Sequence, residues 1–153
     1  MLALNILRGW LYALGAAAVG IGTAAFLLGI SVIKAAEALY DIATRGPDRA
    51  AAPPWPTFDS EFRFYATLWI AYGVVTVMTA RRLKDRLAPV WPLAAIFFAG
   101  GVGRAISLLT VGAPHPAFLM LMWTELIAPI GMAGLILAIR SRPSAIDPAG
   151  PGR

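Results

Sequence analysis

Residues 87–139 read LAPVWPLAAIFFAGGVGRAISLLTVGAPHPAFLMLMWTELIAPIGMAGLILAI, and only Arg104, His115 and Glu125 in that stretch are acids or bases. Gly112, Pro114 and Pro116 interrupt it near the middle, where proline ends a helix and glycine permits a reversal. The expected structure is a helical hairpin of two spans, about 88–111 and 116–139, each long enough to cross a bilayer. Two further apolar stretches precede it. Gly9 to Ile33 carries no acid or base, enough for roughly 37 Å of helix at about 1.5 Å per residue. Its length argues against a cleaved signal peptide, whose apolar core is usually about 7 to 15 residues. Phe64 to Ala80 is shorter, bounded by Arg63 before it and by Arg81 and Arg82 after it.

The composition agrees with that pattern. Hydrophobic residues make up 59% and charged residues 14% of the 153-residue chain, against about 25% charged in a typical soluble domain. Mean hydropathy is +0.71. The fold class expected is therefore all-α, a polytopic membrane protein built as a four-helix transmembrane bundle or small helical barrel. It comprises a membrane domain over residues 1–140, with spans at about 9–33, 64–80, 88–111 and 116–139, an outer loop at 34–61, and a disordered tail at 141–153. A net charge of +5 does not indicate nucleic acid, because the basic residues sit at segment ends, where they orient a membrane protein. With no cysteine and one histidine, disulfides, thiol chemistry and a transition-metal site are not expected. No cofactor is implied: Gly100, Gly101 and Gly103 lack the strand–loop–helix context and the lysine of a nucleotide-binding loop.

Orientation follows from the cations. Arg81, Arg82, Lys84 and Arg86 crowd one connection, which places it on the cytoplasmic side. Both termini then lie on that side too, with Arg8, Arg140, Arg142 and Arg153. The outer side holds Lys34, Arg45, Arg49 and Arg63, outnumbered by Glu37, Asp41, Asp48, Asp59 and Glu61. In the long outer loop, Ile33, Ala36, Tyr40 and Ala43 repeat at helical spacing until Gly46, which suggests an amphipathic extension of the first helix lying in the interface. Ala50 to Pro56, with Pro53, Pro54 and Trp55, cannot form a regular helix and reads as a lid or a plain connector.

Arg104 and Glu125 are the charges placed well inside spans, where an isolated charge costs at least about 2.5 kcal/mol. Arg104 lies ten residues before Pro114 and Glu125 ten after His115, so antiparallel helices bring them to one depth. A bidentate ion pair is expected there, either shaping a ligand site or merely locking the hairpin. Phe62, Tyr65, Trp69 and Tyr72 form an aromatic stripe below Arg63, and Tyr72, too deep for an interfacial belt, needs a partner such as Glu125 or a ligand. Ser107, one turn beyond Arg104, joins the candidate ligand-binding set of Arg104, Glu125, Tyr65, Trp69, Tyr72, Ser107 and Arg63. His115 reads as a solvated turn residue. Ala95, Ala99 and Gly103, together with Ala16 and Gly20 or Ala18 and Gly22, allow close helix packing within the bundle or self-association into a homo-oligomer. Pro129, one turn after Glu125, frees that residue's carbonyl from its helical partner.

Phe62-Arg63-Phe64-Tyr65 with Trp69, Gly100-Gly101-Val102-Gly103-Arg104 with Ser107, then Gly112, Pro114 and Glu125, resemble the bacterial family known as domain of unknown function 4345. The resemblance spans about Leu7 to Ile139. It implies a small four-helix inner-membrane protein with no assigned reaction, distantly similar to helical-barrel proteins that hold hydrophobic small molecules, including the emopamil-binding sterol isomerases. Three functions follow as expectations. The first is a non-enzymatic envelope protein with an outward-facing intramembrane pocket for a lipid or other amphipathic molecule, Arg104 and Arg63 meeting its head. The second is an isomerase-like enzyme using Glu125 as acid or base on a lipophilic substrate, although an ion-paired carboxylate is a poor proton donor. The third is a proton-coupled transporter or a subunit of one, for which the inner half lacks polar residues.

Overall fold

The computed structural model describes residues 1–44 and 56–141. The outer-loop segment 45–55, which contains Gly46 and all of the suggested lid except Pro56, and the tail at 142–153 lie outside the described residues. Five helices follow one another: α1 (Leu2–Leu28), α2 (Ser31–Thr44), α3 (Pro56–Arg81), α4 (Val90–Thr110) and α5 (Pro116–Arg140). No strand occurs among the described residues. α1, α4 and α5 are long and apolar enough to cross a membrane. α3, 26 residues long, falls short of that apolarity because Asp59, Glu61 and Arg63 at its start and Arg81 at its end leave only the 17 residues 64–80 uncharged.

The apolar run from Gly9 to Ile33 is not one helix. α1 stops at Leu28, and Gly29 takes φ +59°, a conformation in which a Cβ is strained. Neither is α2 an extension of α1. It is a separate helix that starts at Ser31, pinned by a hydrogen bond from the Ile30 amide to the Asp59 carboxylate at 2.8 Å. The outer loop is also shorter than 34–61, because α3 starts at Pro56. Proline lacks an amide hydrogen and its φ already suits a helix, so it opens one as readily as it breaks one. The reading of Pro56 as a helix breaker fails for that reason.

α1 and α3 form the most extensive interface, and they run antiparallel. The contact is possible because glycines remove side chains where the backbones cross: a Cβ on Gly73 would lie 2.7 Å from the Gly15 carbonyl oxygen. Gly22 similarly faces Ala66 and Ile70. Between spans surrounded by lipid, such dispersion contacts replace the hydrophobic drive that operates in water. Of the small-residue stripes, Ala18 with Gly22 is buried in this interface, whereas Ala16, Gly20, Ala95, Ala99 and Gly103 are exposed. Amino-acid size alone does not say which face of an all-apolar helix meets a partner.

α5 packs on α1 and on α4, while α3 and α4 touch only loosely. Each long helix thus has two neighbours, and the α3–α4 side is the weak one. Leu7, Leu11, Ala80, Leu83, Val90, Ala94, Met132 and Ile136 form one aliphatic cluster that closes the end carrying Arg8 and Arg81. α3 and α4 share few contacts, and the site lies between them.

Candidate functional site

Gly101 explains how Glu125 comes to face α4. A Cβ at Gly101 would lie 2.9 Å from Leu126 Cγ and 3.0 Å from Glu125 Cβ, so the absence of a side chain lets α5 press against α4 at this level. Arg104, one turn further, then reaches the carboxylate: its Nε donates to Glu125 Oε2 at 2.8 Å. The equal depth expected from the hairpin is realised, but the contact is single rather than bidentate. Glu125 is 3% exposed. The Arg104 side chain is 34% exposed, and its guanidinium carbon lies 5.8 Å from the centre of the Phe118 ring. No donor among the described residues reaches Glu125 Oε1.

The ion pair separates two cavities. The larger, about 240 Å³, is lined by Tyr65, Leu68, Trp69 and Tyr72 of α3, Ile96, Phe97 and Gly100 of α4, and Glu125 of α5. Its aromatic rings interlock. Trp69 stands edge-on to Tyr72 at 5.7 Å and to Phe97 at 6.4 Å, and Tyr72 stacks on Phe97 at 6.3 Å. Tyr65, Leu68 and Ile96, all more than half exposed, mark where it opens between α3 and α4. The smaller, about 190 Å³, is lined by Arg104, Ser107, Pro114, Phe118, Leu119 and Met122.

Glu125, Tyr65, Trp69 and Tyr72 therefore come together in one cavity, and Arg104 with Ser107 in the other. Tyr72 does not meet Glu125: its hydroxyl donates to the Leu93 carbonyl at 3.0 Å, tying α3 to α4. Arg63 is in neither cavity. It donates to the Phe26 and Leu27 carbonyls at 2.7 and 3.0 Å and to Asp59 at 2.8 Å, so it satisfies the carbonyls that the end of α1 leaves without partners. The Arg63 guanidinium, followed by the Ile30 amide, holds the Asp59 carboxyl below its usual range. The position of Asp59 four residues before Arg63 was the available sign that both are committed locally.

His115 departs most from its reading as a solvated turn residue. Its side chain is buried; Nδ1 accepts from the Ala117 amide at 3.3 Å, and Nε2 lies 3.1 Å from Asp41 Oδ1. With Nδ1 accepting, the neutral ring donates from Nε2 to Asp41. The Tyr40 ring packs against the imidazole at 5.3 Å. The cluster fastens α2 to the N-terminus of α5. Both ring nitrogens are engaged, which leaves none for acid–base work. Leu68, Ile96, Phe97 and Gly100 belong to the larger cavity but carry no polar signal by which sequence reasoning could have found them.

Among the described residues no group of acids and histidines is placed to hold a metal ion. No curated protein and no solved structure matches the chain. The family model described as domain of unknown function (DUF4345) matches residues 6–136, most of the chain, and the protein belongs to that family.

Proposed function

We propose that this is a four-span membrane protein that binds a lipid or another amphipathic small molecule in the larger cavity. One observation carries the reading: a cavity of about 240 Å³ walled by four aromatic rings and aliphatic side chains has one carboxylate on its wall, Glu125, and no basic residue. Ligand sites of this kind combine much apolar surface with a few polar groups that fix orientation. α3 counts as the fourth span because it lies along α1 with its backbone in contact, and a partner of a hydrocarbon-embedded helix shares its depth. Arg81, Arg82, Lys84 and Arg86 then face the cytoplasm, in the inner membrane of a bacterial envelope. In this setting the cavity opens sideways to the acyl chains between α3 and α4 rather than outward to water. α2, with Leu39 and Ile42 exposed opposite its charged residues, lies in the outer interface.

The two alternatives have less support. An acid–base enzyme would rely on Glu125 with only the Tyr65 hydroxyl to assist, since the Tyr72 hydroxyl is spent on Leu93. A proton path would have to cross the aliphatic cluster around Leu7, Leu83 and Ile136. The test is lipid extraction and mass spectrometry on protein purified in mild detergent. A Cβ at Gly100 would lie 3.7 Å from Glu125 Oε2, so leucine there projects into the cavity. The unaltered protein should release a stoichiometric amphiphile and Gly100→Leu should not. Equal recovery from both, or recovery from neither, contradicts the proposal.

A further inference from the structure

The charged group on the wall of the larger cavity is a carboxylate, and the arginine that pairs with it faces elsewhere. We propose that the ligand of this cavity carries a cationic nitrogen, an ammonium or quaternary ammonium group on an apolar body, seated against Glu125 and the ring faces of Trp69, Tyr65, Tyr72 and Phe97. The proposal rests on the ligand-binding reading of this cavity and names the class of its occupant.

The polarity follows from how the ion pair is shared. Arg104 uses Nε to hold Oε2, while its guanidinium lines the smaller cavity beside Ser107 and Phe118. The larger cavity therefore meets the carboxylate without the guanidinium: Oε2 lies 3.7 Å from where a Cβ on Gly100 would stand, and no donor among the described residues reaches Oε1. A neutral apolar occupant would leave that oxygen desolvated and without a partner, which is the costly case for a buried acceptor. An anionic head would be worse placed: no lysine, arginine or histidine lines this cavity, and it would lie against a like charge. The Tyr72 hydroxyl is engaged by Leu93, so the side-chain donors left for such a head are the uncharged Tyr65 hydroxyl and Trp69 indole N–H.

A cation fits both parts of the wall. Aromatic rings carry negative charge on their faces and attract ammonium groups, most strongly where water is excluded. Here Trp69 stands at 88° to Tyr72 and at 82° to Phe97, so the rings turn faces in more than one direction around the space. The carboxylate adds the charge that orients the nitrogen. The apolar remainder of the ligand leaves past Leu68 and Ile96 on the open side.

The test uses three ten-carbon probes in an uncharged maltoside detergent, with binding read by native mass spectrometry. They are decyltrimethylammonium, decanol and decanoate. Decyltrimethylammonium should bind the unaltered protein about tenfold or more tighter than either of the others. That ranking needs no variant, so it stands even if a substitution at Glu125 impairs folding. In Glu125→Gln the preference for the cation should collapse. Gly100→Leu should abolish binding of all three. If decanol or decanoate binds as well as the cation and Gly100→Leu removes that binding, the cationic assignment is overturned while the cavity remains a ligand site. If Gly100→Leu changes nothing for any probe, both readings fail.

Discussion

Arg104 and Glu125 are informative as a pair because each alone would be a misplaced charge. Removing one partner leaves the other charge without compensation, so Arg104→Ala or Glu125→Ala should each cost about 3 kcal/mol. Replacing both, as Arg104→Met with Glu125→Leu, should cost clearly less than the two single changes added together. Unfolding in micelles by a denaturing detergent would measure this coupling; strictly additive losses would mean that the pair does not form. Asp59 offers a pH test. Its folded-state carboxyl is held below its usual value of 3.8, so the stabilisation it gives is complete above that value and is lost as the pH falls below it. Asp59→Asn should thus melt lower than the unaltered protein at neutral pH, with the gap closing only in strong acid. Gly29→Ala should destabilise the same junction by about 2 kcal/mol, because φ +59° strains a Cβ that would also meet the Asp59 carboxylate and the Arg63 guanidinium.

At the scale of elements, the fastening of α2 is the contact least visible in the sequence. Asp41 and His115 lie 74 positions apart, and nothing in a Pro-rich turn indicates that its histidine is buried. His115→Ala should free α2 while α1, α4 and α5 persist, seen as at least tenfold faster amide exchange in residues 31–44 with little change elsewhere. By contrast, the helical hairpin of α4 and α5 was legible, since the turn residues and the spacing of Arg104 and Glu125 about them define its register. The end of α1 was not legible: Gly29 looks like the chain's other glycines until Asp59 and Arg63 fold over it. The packing faces were hidden for a related reason. In lipid, buried and exposed helix faces are both apolar, so periodicity does not separate Gly15 and Gly22, which meet α3, from Ala95, Ala99 and Gly103, which are exposed.

On the scale of the molecule, the ring of long helices is closed at one end by the aliphatic cluster, and its weakest contact is the one between α3 and α4. The aromatic stripe that announced a site in the sequence lies on α3, whose charges Asp59, Glu61, Arg63 and Arg81 make it the least apolar of the long helices. Since the chain contains no cysteine, single cysteines can report topology without background. A cysteine at Lys84 should react with an impermeant maleimide only from the cytoplasmic side, and one at Ala113 only from the outside. Labelling of both from one side would remove the four-span arrangement. Photolabelling of the protein in bilayers with a diazirine-bearing hexadecyltrimethylammonium puts a ligand cavity opening sideways between α3 and α4 to the test. Adducts should concentrate on residues 65–72 and 96–100 and be lost in Gly100→Leu. Adducts spread evenly over exposed faces, at Ile21, Ile127 and Ile130 as much as at Trp69 and Phe97, would contradict it.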